Sequence, residues 1–175
     1  MFIKADTCAL RALEPNDANL LYVWENDAAL WSYSNTQQPF SKFILDEFAS
    51  AAHQDIYANK QLRLMIESTK QNLTVGCVDI YDFDPFHCRC GLGIFIHAEQ
   101  RGKGYAQQAL AMVTTYCFTT LLLKQVYAEV SENNTGSLKL FAEAGFEQTG
   151  IKRNWHRVGD NSFENVILLQ LQDKQ

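Results

Sequence analysis

The chain has 175 residues, 47% of them apolar and 20% charged, and a net charge of −5 at pH 7. That length suits a single domain over residues 1–175 and buries around two-thirds of the unfolded surface. The acidic balance argues against nucleic acid as a partner and mildly favours a cationic substrate.

The N-terminus, Met1-Phe2-Ile3-Lys4-Ala5-Asp6, lacks the apolar core of a signal peptide, and no apolar run approaches the roughly 18 residues a membrane span needs. The expectation is a cytoplasmic protein that does not act at a membrane. Cys8, Cys77, Cys88, Cys90 and Cys117 are odd in number and lack C-x-x-C spacing, so they read as free thiols rather than a disulfide framework or a metal site.

In chain order, a first strand runs from Thr7 to Leu13. Pro15 then sits where a first helical turn tolerates proline, and Leu20, Val23, Trp24 and Asp27 share one side of a helix ending near Asn26. An aromatic segment from Ala28 to Pro39 carries Trp31 and Tyr33. Ser41 caps a second helix, with Phe40 and Leu45 as a hydrophobic staple and Ile44, Leu45, Phe48, Ala52 and Ile56 as its apolar stripe. Leu62, Leu64 and Ile66 alternate with Arg63, Met65 and Glu67 as a half-buried strand, and Gln71-Asn72 turns into a partner running from Leu73 to Phe83. Asp84-Pro85 ends it, and Cys88 to Ile96 is the next antiparallel strand.

That strand passes through Gln100-Arg101-Gly102-Lys103-Gly104 into a helix whose buried face is Ala106, Ala109, Leu110, Val113 and Cys117, ending near Thr120. Such a strand, glycine turn and helix start aim successive amides into one concavity at the positive end of a helix dipole, an anion site for which phosphate is the obvious ligand. Gln125 to Val130 is another strand, with Val126, Ala128 and Val130 on one side. A short helix from about Gly136 to Ala144 ends at Gly145, and a final hairpin joins Glu147–Val158 to Phe163–Leu171.

Two blocks resemble a known family. Gln100-Arg101-Gly102-Lys103-Gly104-Tyr105-Ala106 is similar to the acetyl-CoA signature of the GCN5-related N-acetyltransferases (GNAT), carried by Arg101, Gly104 and Ala106. Asn134-Thr135-Gly136-Ser137 through Gly145-Phe146 resembles that family's Asn-x-x-Ser helix, in a pattern nearest the ribosomal-protein N-terminal and spermidine acetyltransferase branch. The resemblance implies a mixed α/β fold: a mostly antiparallel sheet of about seven strands, splayed between the fourth and fifth, with about four helices and acetyl-CoA in the cleft. It also implies that the backbone at Phe95 and Ile96 holds the pantetheine arm, amides from Arg101, Gly102, Lys103, Gly104, Tyr105 and Ala106 hold the pyrophosphate, and Asn134 steadies the arm. Asn134 reads equally as a helix cap, and the two roles are compatible.

Acetyl transfer to an amine imposes its own demands. A lysine-like amine is neutral only about once in 2,500 molecules at pH 7, so attack wants a base or a water chain, and the CoA thiolate wants an acid. Where many members carry an acidic tyrosine this chain has Phe141, and where many begin the fourth strand with glutamate it has Gly91. Ser137 remains as an acid, or as a serine bonding backbone in the first helical turn. Asp79, at a position acidic in spermidine acetyltransferases, is the candidate base, with Glu67 and Glu129 behind it. Trp31, Tyr33 and Trp155 frame the acceptor, with Glu25, Asp27, Asp46 and Glu47 near enough to receive a polyamine; His97 and His156 read as structural. The implied acceptor is a primary amine, of a polyamine-like small molecule or a protein N-terminus. A non-catalytic acyl-CoA sensor and an amino-sugar or antibiotic acetyltransferase are the alternatives, and the last hairpin offers an edge for a homodimer.

Overall fold

Leu64, Met65 and Ile66 are consecutive and all buried, so the strand that carries them has a packed layer on each face. The half-buried strand expected from alternation is therefore a central one. The structure, a computed structural model, describes residues 3–31, 36–50 and 55–174.

Those residues form one sheet of eight strands in the order β1-β2-β3-β4-β5-β6-β8-β7. The strands are β1 Ile3–Lys4, β2 Cys8–Ala12, β3 Leu62–Ser68, β4 Leu73–Asp84, β5 Arg89–Ile96, β6 Gln125–Ser131, β7 Glu147–Arg157 and β8 Phe163–Gln172. The short β1 is the strand that sequence periodicity does not reveal, since two residues carry no period. Five α-helices are described: α1 Ala18–Glu25, α2 Lys42–Ser50, α3 Ile56–Asn59, α4 Tyr105–Thr119 and α5 Thr135–Glu143.

On one face α4 and α5 cover Leu64, Ile66, Val78, Ile80, Leu92 and Val126 in the larger core. On the other, α1 and α2 close over Met65 and Cys77. The side of α1 that does this is Ala18, Leu21 and Trp24, whereas Val23, expected inside, is 63% exposed. The stripe predicted through Ile56 is also broken up. Leu45 and Ala49 are the buried residues of α2, and Ile56 belongs to α3, which has its own cap in Asp55, accepting from the Ala58 amide at 2.9 Å.

All pairings are antiparallel except β5 with β6, which is parallel and spans only Arg89, Cys90 and Gly91 against Gln125, Val126 and Tyr127. Beyond Gly91 the two strands part. The edge of β5 from Leu92 to Ile96 that faces β6 thus has no strand partner, while its other edge is paired with β4 throughout. This is the expected splay.

Candidate active site

The splay opens a cleft of about 1020 Å³ between β5 and β6. Its far end is the glycine turn. Gly102 and Gly104 hold φ of 75° and 81°, and a Cβ built on either meets nothing within 4 Å. The glycines are therefore required by the left-handed backbone, and the space above them is open for a ligand's closest approach to the main chain. Gly104 is also the N-cap of the 15-residue α4, which has no side-chain cap, so the helix's leading amides and dipole are presented at the turn.

Of the residues expected to bind the cofactor, Phe95, Ile96, Arg101, Gly102, Gly104, Tyr105, Ala106 and Asn134 line this cleft. Lys103 does not; its ammonium donates to Gln100 at 2.8 Å. The Tyr105 ring turns inward, its hydroxyl 3.0 Å from that of Ser68, so only its backbone is available to a phosphate. Arg101 folds back and donates through Nε to the Ile96 carbonyl at 3.0 Å, pinning the turn to the end of β5. Asn134 caps α5 by accepting from the Ser137 amide at 3.1 Å, and both residues line the cleft. These features fit a thioester cofactor with a pyrophosphate: open amides at one end, an unpaired strand edge along its length and an amide side chain opposite.

The other end is polar and is organised by a residue that composition alone does not single out. Arg63 on β3 stands opposite Asp79 on β4 and donates to both its oxygens, at 2.6 and 2.8 Å. It reaches Glu25 of α1 at 2.5 Å and lies over the Phe48 ring at 5.3 Å. Burial acts against the Arg63 charge, but the charge and hydrogen bond of Asp79 outweigh it and hold the guanidinium protonated. Glu25, Arg63 and Asp79 all line the cleft. Asp79 is thus where it was expected, but with both oxygens engaged by a guanidinium. This favours an orienting, electrostatic role over proton removal.

Gly91 and Gly93 leave room for the β4 side chains opposite them. A Cβ on Gly91 would meet the Tyr81 ring at 2.2 Å, which is why the glutamate of many relatives has no place here. Tyr81 packs edge-on against Tyr127 at 5.9 Å, and Tyr127 donates to Asp82 at 3.2 Å. Burial, the Tyr127 phenol and then nearby carboxylates push the Tyr81 phenol up, so it is a hydrogen-bond donor across the neutral range.

The predicted acceptor frame is the part that needs correction. Trp155 is 57% exposed on β7 with Lys152 over its ring at 4.8 Å, and it does not line the cleft; its neighbour His156 does. Trp31 is half-buried and donates to the Glu25 carbonyl at 2.9 Å, while Leu30 and Thr36 reach the cleft in its place. Tyr33 lies outside the described residues. Phe141 is buried edge-on against Phe146 at 4.9 Å. No group of three or more metal-ligating side chains is found among the described residues.

The sequence matches the acetyltransferase (GNAT) domain family over residues 8–147. It is 30% identical to the spermidine N(1)-acetyltransferase of Vibrio cholerae over 141 residues, covering 81% of this chain and 79% of that one. It is 26% identical to the uncharacterized N-acetyltransferase p20 of Bacillus licheniformis, over 89% of this chain and 87% of that one. The crystal structure of the V. cholerae spermidine N-acetyltransferase in complex with CoA and spermine superposes with a TM-score of 0.85 at 25% identity, covering 95% of each chain.

Proposed function

Because this chain belongs to the GNAT acetyltransferase family, we propose that its acyltransferase activity joins the acetyl group of acetyl-CoA to a primary amine of a small polycation. The observation that carries this reading is the lining of the cleft: an anion-ready glycine turn at the start of α4, and the carboxylates Glu25, Asp79, Asp82 and Glu129 on α1, β4 and β6. Acetyl-CoA supplies the activated acyl group and a thiol leaving group. The amides from Gly102 to Ala106 bind the pyrophosphate, that of Arg101 being taken by the Ala98 carbonyl at 3.3 Å, the free edge of β5 at Phe95 and Ile96 aligns the arm, and Asn134 steadies it from α5.

Arg63 fixes Glu25 and Asp79 so that one net negative charge of the trio faces the acceptor, while Tyr127 and Lys152 orient Asp82 and Glu129 in the same way. Several fixed carboxylates spaced along a cleft suit a chain of amines better than a lone peptide N-terminus, because each cationic site finds its own partner. The spermine bound to the V. cholerae enzyme supports the same choice. Ser137, in the first turn of α5 beside Asn134, is the proposed proton donor to the leaving thiolate. The β7 edge, with Ile151 and Trp155 exposed, is the proposed contact between copies.

The test is release of CoA with spermidine, spermine, an N-terminal peptide and an aminoglycoside at matched concentrations. Preference for the polyamines, lost at high salt, is expected. Turnover confined to the peptide would refute the acceptor assignment, and tight acetyl-CoA binding without turnover on any amine would refute catalysis.

A further inference from the structure

His156 sits on β7 among surface residues, yet its side chain is only 16% exposed and lines the cleft. Its Nδ1 is fully buried and has no hydrogen-bond partner, which leaves Nε2 as the nitrogen a proton could reach. The buried nitrogen faces Glu164 of β8, whose Oε1 is 3.7 Å away and whose side chain is 9% exposed. Among the described residues no lysine or arginine pairs with Glu164, and its other oxygen accepts from Asn133 Nδ2 at 2.7 Å.

The placement comes from a bulge. Pairing of β7 with β8 shifts between Lys152 and His156, where Asn154 takes a φ of 49° and its amide donates to Asn165 Oδ1 at 3.0 Å. Pairing resumes with His156 opposite Glu164. Asn133 precedes Asn134, the cap of α5, so imidazole, carboxylate and the helix start that carries Ser137 form one connected unit. Other charged groups nearby are engaged elsewhere, Glu132 among them, accepting from the Asn165 amide and Nδ2 at 2.9 Å each. Glu129 on β6 lines the same cleft but is paired with Lys152 at 2.5 Å, and Arg157 is turned to the hairpin, donating to the Gly159 and Asp160 carbonyls.

We propose that His156 accepts the proton of the attacking amine and that Glu164 positions it; this rests on the acetyl transfer argued above. The neutral amine's lone pair forms the N–C bond to the acetyl carbon, and the C–S bond breaks with its electron pair leaving on the thiolate. The proton released by nitrogen passes to Nε2 of His156 and on to solvent, while the thiolate takes one from the Ser137 hydroxyl, which solvent reprotonates. A buried carboxylate without another cation is placed to stabilise the charge the ring gains, as in a triad whose acid orients its histidine. Imidazole also changes protonation near neutral pH, as a catalytic base requires.

The experiment follows CoA release against pH with spermidine for wild type, His156→Gln, His156→Asn and Glu164→Gln, with acetyl-CoA affinity measured in parallel. It also titrates the His156 ring by long-range proton–nitrogen spectra of the free protein. Each His156 variant is expected to lose roughly a hundredfold in kcat, keep acetyl-CoA affinity within about twofold, and lose the acid limb of its kcat/KM profile. Glu164→Gln should move the ring's midpoint to lower pH. A folded His156 variant that keeps the acid limb and turns over within about threefold of wild type overturns the proposal, as does a midpoint unmoved by Glu164→Gln. If neither variant folds, a wild-type ring that stays in one protonation state from about pH 5 to 9 overturns it. Wild type that acetylates no amine at all would instead refute the acetyl transfer itself, and the proton role with it.

Discussion

Gly104→Ala isolates the role of the glycine turn, because the structure supplies a matched control. Gly104 and Gly145 have nearly the same φ, 81° and 88°, and a Cβ at neither clashes: Gly104 has nothing within 4 Å, and Gly145 has Leu171 Cδ1 at 3.8 Å. Alanine at either site therefore meets only the left-handed backbone penalty, about 1–2 kcal/mol. For a chain of this length that is a fall of roughly 2–8 °C in Tm. The two should differ in ligand binding, since only the Gly104 methyl stands in the space offered to phosphate. A tenfold loss of affinity is the expected minimum, about 1.4 kcal/mol. Acetyl-CoA at about 100 Kd should raise the unfolding free energy of wild type and of Gly145→Ala by about 2.7 kcal/mol. At the same ligand concentration Gly104→Ala should retain about half of that. Calorimetric titration gives the affinities directly. Equal acetyl-CoA affinity in the two variants would refute the placement of the pyrophosphate at this turn.

Ser137→Ala should lower kcat by about tenfold or more while leaving acetyl-CoA affinity within about twofold, as steady-state rates beside titration would register; an unchanged rate leaves Ser137 only its place in the capped turn. Gly91→Ala should lose about 1–3 kcal/mol by overpacking against the Tyr81 ring, and Tyr81→Ala in the same chain should recover part of it, so additive losses in a double-mutant cycle would disprove the contact. Asp17 gives a pH dependence. Burial raises its pKa, but hydrogen bonds from Arg11 and the Glu14 amide and the Arg11 charge outweigh that, leaving it below its ordinary 3.8. A depressed folded value means that the stabilisation is complete above the unfolded pKa and is lost as pH falls through the folded one. Tm should thus drop more steeply below about pH 4 in wild type than in Arg11→Met; parallel curves would disprove the coupling.

Much was legible in the sequence because it depends on neighbours in the chain. The glycine turn and the Asn134 cap are each specified within a few residues by φ and hydrogen-bond chemistry. The burial of Val126, Ala128 and Val130 follows from period alone, whereas the splayed sheet and its cleft were implied only by the family resemblance that those motifs carry.

What lay beyond the sequence is set by register. At the β3–β4 turn Glu67 pairs with Thr74 and Ser68 with Leu73; carried on unchanged, that spacing would set Arg63 against Val78. A bulge between Ile66 and Glu67 moves the pairing by one residue, and Arg63 meets Asp79. The bulge around Asn154 adds two residues to β7 and brings His156 against Glu164, while the Trp155 expected in the cleft stays exposed on the surface. A bulge inserts a residue into one strand without any strong local signature, yet it reassigns every pair that follows. The order of elements and the glycine turn were therefore determined by the sequence itself. The charged floor of the cleft and the histidine beside it were decided only when strands distant in sequence were paired.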